Sequence, residues 1–280
     1  LPTNKPRTSS FRRTPAPRER AIVTDLAAAA GPCPFAVLIP AYNEEATIRA
    51  VAEGALGACG HVIVVDDGSA DGTLAALDGL PVHLIRLECN QGKAAALVRG
   101  FRAALELGVE GVVTLDGDGQ HRPQDIARIA ETGLRRRSRI VIGSRLGEPD
   151  NFPKARLRAN RIANFWISWA AGHAIEDSQS GFRYYPAALL SRLDLDRCAR
   201  TGFVFESEVL ISAARLGFTS EAVPIPALYD GVIQRASHFR PGRDITRIVR
   251  MVAWKLISRG LYPQGLYRSL TGRRPTGTEP

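Results

Sequence analysis

The stretch Asp116-Gly117-Asp118-Gly119-Gln120 sets two carboxylates and a side-chain amide at every second position. Carboxylates one residue apart on a tight turn can approach one hard divalent cation, and the Gln120 amide oxygen can add a third ligand. That is too few ligands for a self-contained Ca²⁺ cage. It suits Mg²⁺, which shares its shell with substrate phosphates. The plainer alternative is an Asp-Gly turn that ends a strand. A second acidic cluster, DGSADG from Asp67 to Gly72, half-matches a calcium loop. A strand-like run precedes it, however, and Asp78 stands where such a loop needs Glu. It reads better as a strand-end turn whose carboxylates hydrogen-bond a nucleotide, with Asp71 capping the next helix.

The elements around these clusters say where they sit. From Phe35 onward, FAVLI, HVIVV, VHLIR, GVVTL and RIVIG are short β-rich runs. Between them lie helical stretches such as NEEATIRAVAEGAL, GKAAALVRGFRAALELG and PQDIARIAETGLRR. Strands alternating with helices predict an α/β fold with a mostly parallel sheet. Such sheets bind ligands at the carboxyl ends of their strands. HVIVV runs into Asp66 and Asp67, and GVVTL into Asp116 and Asp118, so both acidic clusters belong there. After Arg145 the pattern turns irregular. FPKARLRANRIANFWISWAAG and RDITRIVRMVAWKLISRGLY read as basic amphipathic helices, and residues after about 263 as tail. Residues 1–31, rich in Pro, Arg, Ser and Thr, predict a disordered basic tail.

The 280 residues are enough for a sizeable core, and 45% hydrophobic with 23% charged is ordinary for a globular protein. The net charge of +9 points to an anionic partner: nucleic acid, a phosphorylated substrate or a membrane surface. The four cysteines have no metal-type spacing and read as reduced thiols, mostly core filler, of a cytosolic protein. No run approaches the ~20 apolar residues of a spanning helix.

Six segments then stand in one order: IPAYNEEATI, VIVVDDGSADGT, NQGKAAAL, DGDGQHRPQDI, IGSR and SQSGFRYY. Together they resemble the family-2 inverting glycosyltransferases of the GT-A fold. The resemblance covers about residues 35 to 245 and is nearest to the dolichyl- or polyprenyl-phosphate mannose synthases. It implies a Rossmann-like GT-A domain over 32–245, then an amphipathic membrane-proximal helix and tail over 246–280. Pro40, Tyr42, Glu44, Asp67 and Asp116 are expected on the nucleotide. Asp116, Asp118 and Gln120 are expected to hold Mg²⁺ or Mn²⁺. Lys93 is expected to reach the donor and Arg145 to face its phosphates. Lys93 opens a helix, where the dipole disfavours a cation, and an anionic ligand accounts for it better.

The resemblance further implies a donor such as GDP-mannose or a UDP-hexose, and a polyprenyl phosphate or other lipid as acceptor. Acceptor-phosphate contacts are expected among Arg158, Arg161, Arg183, Arg235, Arg240 and Arg243, since arginine suits bidentate phosphate binding. A hydroxyl acceptor would need a general base, and Asp177 lies where hydroxyl-transferring relatives carry theirs. In a phosphate-acceptor enzyme Asp177 would instead orient Arg183 or hold its loop. The expected location is the cytoplasmic face of an anionic membrane, bound peripherally through the amphipathic helices. A non-catalytic binding module is a competing class. The donor-site carboxylates weigh against it, and against nucleic acid, whose phosphates they would repel.

Overall fold

The computed structural model describes residues 33–147, 154–200, 202–226 and 241–272, without the side chains of Arg156, Phe203 and residues 241–245. The expected disordered tail, Arg235 and Arg240 lie outside the described residues. Seven strands form one sheet: β1 (Phe35–Ala41), β2 (Val62–Asp66), β3 (His83–Arg86), β4 (Gly111–Thr114), β5 (Arg139–Ser144), β6 (Arg183–Pro186) and β7 (Thr219–Pro224). Their order is β3-β2-β1-β4-β6-β5-β7. β1 pairs in parallel with β2 and β4, while β6 runs antiparallel between β4 and β5. This is the mostly parallel, helix-flanked sheet expected of a GT-A domain.

Helices cover both faces, which is why the central strands are continuous apolar runs. Helices α1 (Ile48–Ala58), α2 (Thr73–Ala76), α3 (Lys93–Glu106), α4 (Ile126–Arg135) and α5 (Lys154–Ala171) follow the first five strands in turn. After β6 come α6 (Ala187–Leu190), α7 (Leu195–Ala199) and α8 (Phe205–Arg215), and after β7 come α9 (Pro241–Ile257) and α10 (Pro263–Thr271). Alternate residues of β1 enter opposite cores, as a pleated strand requires. Ala36 and Leu38 join α3, α5, α8 and α9 on one face. Val37 and Ile39 join α1 and α4 on the other.

Two expectations about the C-terminal part change. The boundary foreseen at residue 245 falls inside α9, whose Ile248, Val252 and Leu256 are buried in the same core as α3 and α8. The residues foreseen as tail after 263 include α10. Pro263 opens that helix and Gly272, at φ 65°, closes it. Helix α10 lies on α5, where the Trp169 indole donates to the Leu261 carbonyl at 3.0 Å. Cys59 and Cys198 are buried as expected of filler, whereas Cys89 is exposed.

Candidate active site

Parallel pairing sets Ala41 beside Asp66 and Leu38 beside Thr114, so the chain leaves β1, β2 and β4 along one edge of the sheet. The antiparallel β6 begins at that edge, with Arg183 opposite Thr114. The turns there are laced together. Asn43, at φ 55°, donates its N–H to Ser69 Oγ (2.8 Å) and accepts the Ala70 N–H (2.9 Å). The Glu44 N–H reaches Thr73 Oγ1 at 2.7 Å, and Asp71 accepts the Thr73 N–H at 3.0 Å, although Gly72 rather than Asp71 stands at the N-cap of α2. Thr47 Oγ1 donates to the Gly117 carbonyl at 2.7 Å, which ties α1 to the Asp116–Asp118 turn.

Pro40 and Glu44 flank that turn closely. A Cβ added to Gly117 would lie 3.3 Å from the Pro40 carbonyl oxygen and 3.5 Å from Glu44 Cγ. Tyr42 stands at the rim, 39% exposed. Asp67 is placed differently from its expected nucleotide contact. It is buried, and its two oxygens accept the Gln91 and Gly92 N–H groups at 2.8 Å each. It fixes the turn before α3 and offers the donor little free carboxylate. Burial raises its pKa, and those two N–H groups oppose the rise.

That turn delivers Lys93. Its ammonium lies 2.7 Å from Asp116 Oδ1 and 3.0 Å from Glu206 Oε1, at the start of α8. The anion that its helix-opening position called for is supplied within the chain. Burial works against the Lys93 charge, but Asp116 and Glu206 outweigh it and raise its pKa. Burial likewise pushes the Asp116 carboxyl up, and Lys93 more than reverses this. Among the described residues Asp118 has no such ion pair, though Lys93 and Arg145 act on it from further off. Burial first, and Asp116 second, raise its pKa, while its Oδ1 accepts the Gln120 N–H at 3.0 Å. Among the described residues Lys93 is ion-paired with Asp116 and Glu206. A half-buried Asp118 beside Asp116 suits a divalent cation between the two carboxylates.

Arg145 and Asp177 form a second pair. Arg145 donates from Nε and Nη2 to the two Asp177 oxygens at 3.1 and 3.2 Å, and from its backbone N–H at 3.0 Å. Asp177 is fully buried and also accepts from Asn160 Nδ2. It therefore positions Arg145, with both of its oxygens engaged. Nor does it orient Arg183. Arg183 is 0% exposed, and its guanidinium is spent on the carbonyls of Ser178, Ser180 and Glu206, so it cannot meet an acceptor phosphate. Arg158 and Arg161 are exposed on α5, on either side of Asn160. The Arg243 side chain lies outside the described residues.

Several participants escape sequence reasoning. Glu206 reads as an ordinary helix-opening acid. Asn160, Asn164 and Ser168, spaced by four along α5, pin the segment 175–178 through Asp177, Ser178 and Ile175. That polar stripe is the one signal that could have revealed them. His121 is buried against Phe182, and its Nδ1 has no hydrogen-bond partner among the described residues. Burial, then Arg145, push its pKa down to about 4, so it is neutral.

The arrangement suits an anionic ligand carried by a metal, and the chain is similar to known proteins. The chain is 32% identical over 200 residues to polyprenol monophosphomannose synthase of Mycolicibacterium smegmatis, covering 68% of this chain and 75% of that protein. It is also 32% identical to the UDP-N-acetylglucosamine–dolichyl-phosphate N-acetylglucosaminyltransferase of Methanococcus voltae, covering 69% and 85%. Among solved structures, glucosyl-3-phosphoglycerate synthase from Mycobacterium tuberculosis with UDP superposes at a TM-score of 0.57 and 21% identity, over 80% of this chain and 79% of that one. That likeness is one of fold. The profile of Glycosyl transferase family 2 matches residues 36–198. The sheet edge with its Asp116–Asp118 turn falls within that span, and the chain is a glycosyltransferase belonging to glycosyl transferase family 2.

Proposed function

We propose that the chain transfers a hexose, mannose or glucose, from a nucleotide sugar to a polyprenyl phosphate with inversion at the sugar. The buried Asp177–Arg145 pair carries the acceptor half of this proposal. A hydroxyl acceptor must lose a proton to a base. A phosphate acceptor is already ionised near neutrality, and it is served by a site whose Asp177 is committed to Arg145. The names of the two relatives given above support a polyprenyl-type acceptor and leave the sugar open.

Asp116, Asp118 and Gln120 would hold Mg²⁺ or Mn²⁺, which would supply charge stabilisation to the departing diphosphate. Pro40, Tyr42 and Glu44 form the wall on which the nucleotide would lie. Arg145, pre-oriented by Asp177, offers a fixed cation to the phosphates without reorganisation during reaction. Arg158 and Arg161, with Arg235, Arg240 and Arg243, are the candidates for the acceptor phosphate.

Gly181 keeps the centre of this site compact. A Cβ there would stand 2.6 Å from Asp116 Oδ2 and 2.9 Å from Lys93 Nζ. Gly181→Ala is expected to lower transfer about 100-fold through misplacement of these groups. Its melting temperature should stay within a few degrees of the parent's.

Lipid substrates require a way onto a membrane, and among the described residues no helix is long and apolar enough to cross one. The outer face of α9 offers Arg250, Trp254 and Ile257, followed by Leu261. Trp254 is 73% exposed and Ile257 64%. A basic helix with such residues outward can lie in the headgroup layer. Replacing Trp254 and Ile257 together by Ser is expected to weaken binding to anionic phospholipid vesicles at least about tenfold in a sedimentation assay. Unchanged sedimentation would remove this face from the interface.

The deciding test of function offers short-chain polyprenyl phosphate and one nucleotide sugar at a time, with Mg²⁺ or Mn²⁺, and reads products by mass spectrometry. A polyprenyl-phosphohexose from one donor is the expected result. Hydrolysis alone from every donor, or transfer only to hydroxyl acceptors, would overturn the lipid-phosphate assignment.

A further inference from the structure

Glu206 has no place in the donor contacts just described, yet the fold takes trouble to position it. The buried Arg183 donates to the Glu206 carbonyl at 3.0 Å and to the Ser178 and Ser180 carbonyls at 2.7 Å each. The start of α8 is thereby tied to the segment that carries Gly181. Thr114 Oγ1 holds Gly181 from the sheet side, through its carbonyl at 2.7 Å. Gly181, lacking a side chain, leaves room for Asp116 and Lys93 to meet. One ammonium thus lies between two carboxylates set on different elements, Asp116 after β4 and Glu206 on α8.

We infer that Glu206 is a positioning residue: it retains Lys93 in the site when Asp116 is given over to the metal. The inference rests on the donor site proposed above. Lys93 and a divalent cation compete for the same Asp116 carboxylate. If Asp116 were the ammonium's only partner, binding of the cation would leave a charge unpaired in a partly desolvated site, which is costly. With Glu206 as second partner, Lys93 shifts its weight by a small movement and stays beside the incoming diphosphate. Glu206 therefore acts on metal affinity through Lys93.

A double-mutant cycle on Mn²⁺ binding tests this, with free Mn²⁺ read by electron paramagnetic resonance in the presence of UDP or GDP. Glu206→Gln is expected to weaken Mn²⁺ binding about tenfold, and Glu206→Asp to restore most of it. Lys93→Gln should strengthen Mn²⁺ binding, because the competitor is gone. In the Lys93→Gln background, Glu206→Gln should then change little. A tenfold loss that persists there would mean that Glu206 acts only as a nearby negative charge, and the inference would fall. It would fall equally if Glu206→Gln bound Mn²⁺ like the parent. Lys93 is 42% and Glu206 21% exposed at their side chains, so these variants should fold, with melting curves as the control. If the double variant melts early, the comparison of Glu206→Gln with Glu206→Asp decides. Equal weakening by both would overturn the inference. If the unmodified protein takes up no Mn²⁺ with either diphosphate, the donor-site proposal fails first and takes this inference with it.

Discussion

Asp118→Asn should lower hexose transfer by about a thousandfold, the scale seen when one group that stabilises developing charge is removed. Asp118 is the carboxylate of the turn that makes no ion pair among the described residues, whereas Asp116 is paired with Lys93. Its described hydrogen bond is accepted from the Gln120 N–H, and an Asn oxygen can accept the same bond. The turn should therefore survive. Two further readouts separate loss of metal from loss of fold. Mn²⁺ uptake should vanish, and the metal-free variant should melt no lower than the parent. The sign follows from the raised pKa. Burial and Asp116 disfavour the charged form in the folded state, so this carboxylate weakens the metal-free fold once the pH rises above its ordinary value. Removing the charge relieves that cost. In the parent, Mn²⁺ affinity should fall on acidification at a pH above that of an ordinary carboxylate, because the proton and the metal compete for Asp118. Transfer by Asp118→Asn at the parent's rate, unaffected by a chelator, would sink the metal assignment.

What the sequence disclosed and what it hid follow from the range of the interactions. Strands and their acidic ends were legible because burial on both faces writes uninterrupted apolar runs, and turn chemistry is local. GVVTL followed by DGDGQ places an acidic strand-end turn without knowledge of any other element, while its metal role is implied by the resemblance of the six segments together. The C-terminal helix is short and begins at Pro263 and ends at Gly272, residue types that mark loops as readily as helix ends. Arg183 was misread for a deeper reason. A run of arginines after the metal turn suggests phosphate contacts, but nothing local shows which of them points inward. Three carbonyls, from Ser178, Ser180 and Glu206, decide that only once β6 and α8 have met. Asp67 was misread in the same way. Its partners are backbone N–H groups 24 and 25 residues away, which leave no mark on side-chain spacing.

Asp177→Ala should cost about 3–5 kcal/mol of stability in urea unfolding, the usual penalty for removing one partner of a buried ion pair. The Arg145 side chain is only 12% exposed, so its guanidinium would lose its Asp177 contacts in a nearly dry place. The loss of the Asn160 contact adds to this. Backbone geometry adds a further term, because Asp177 sits at φ 45°, a region that Asp and Asn tolerate better than Ala. Asp177→Asn should be milder for the same reasons, since it keeps the shape, the backbone tolerance and one acceptor oxygen. That makes it the variant that can be assayed. If Asp177 positions Arg145, Asp177→Asn should lower transfer to polyprenyl phosphate about 100-fold, the scale of a small misplacement at the reacting centre. The shape of the pH–rate profile should be unchanged, because no proton passes through residue 177. If Asp177 were the base, the same variant would erase the acidic limb of the profile, and a hydroxyl acceptor would be required. The two carboxylates of this edge are thus separable by experiment. Loss of the Asp118 charge should spare the metal-free fold and abolish metal uptake, whereas loss of Asp177 should weaken the fold and misplace Arg145.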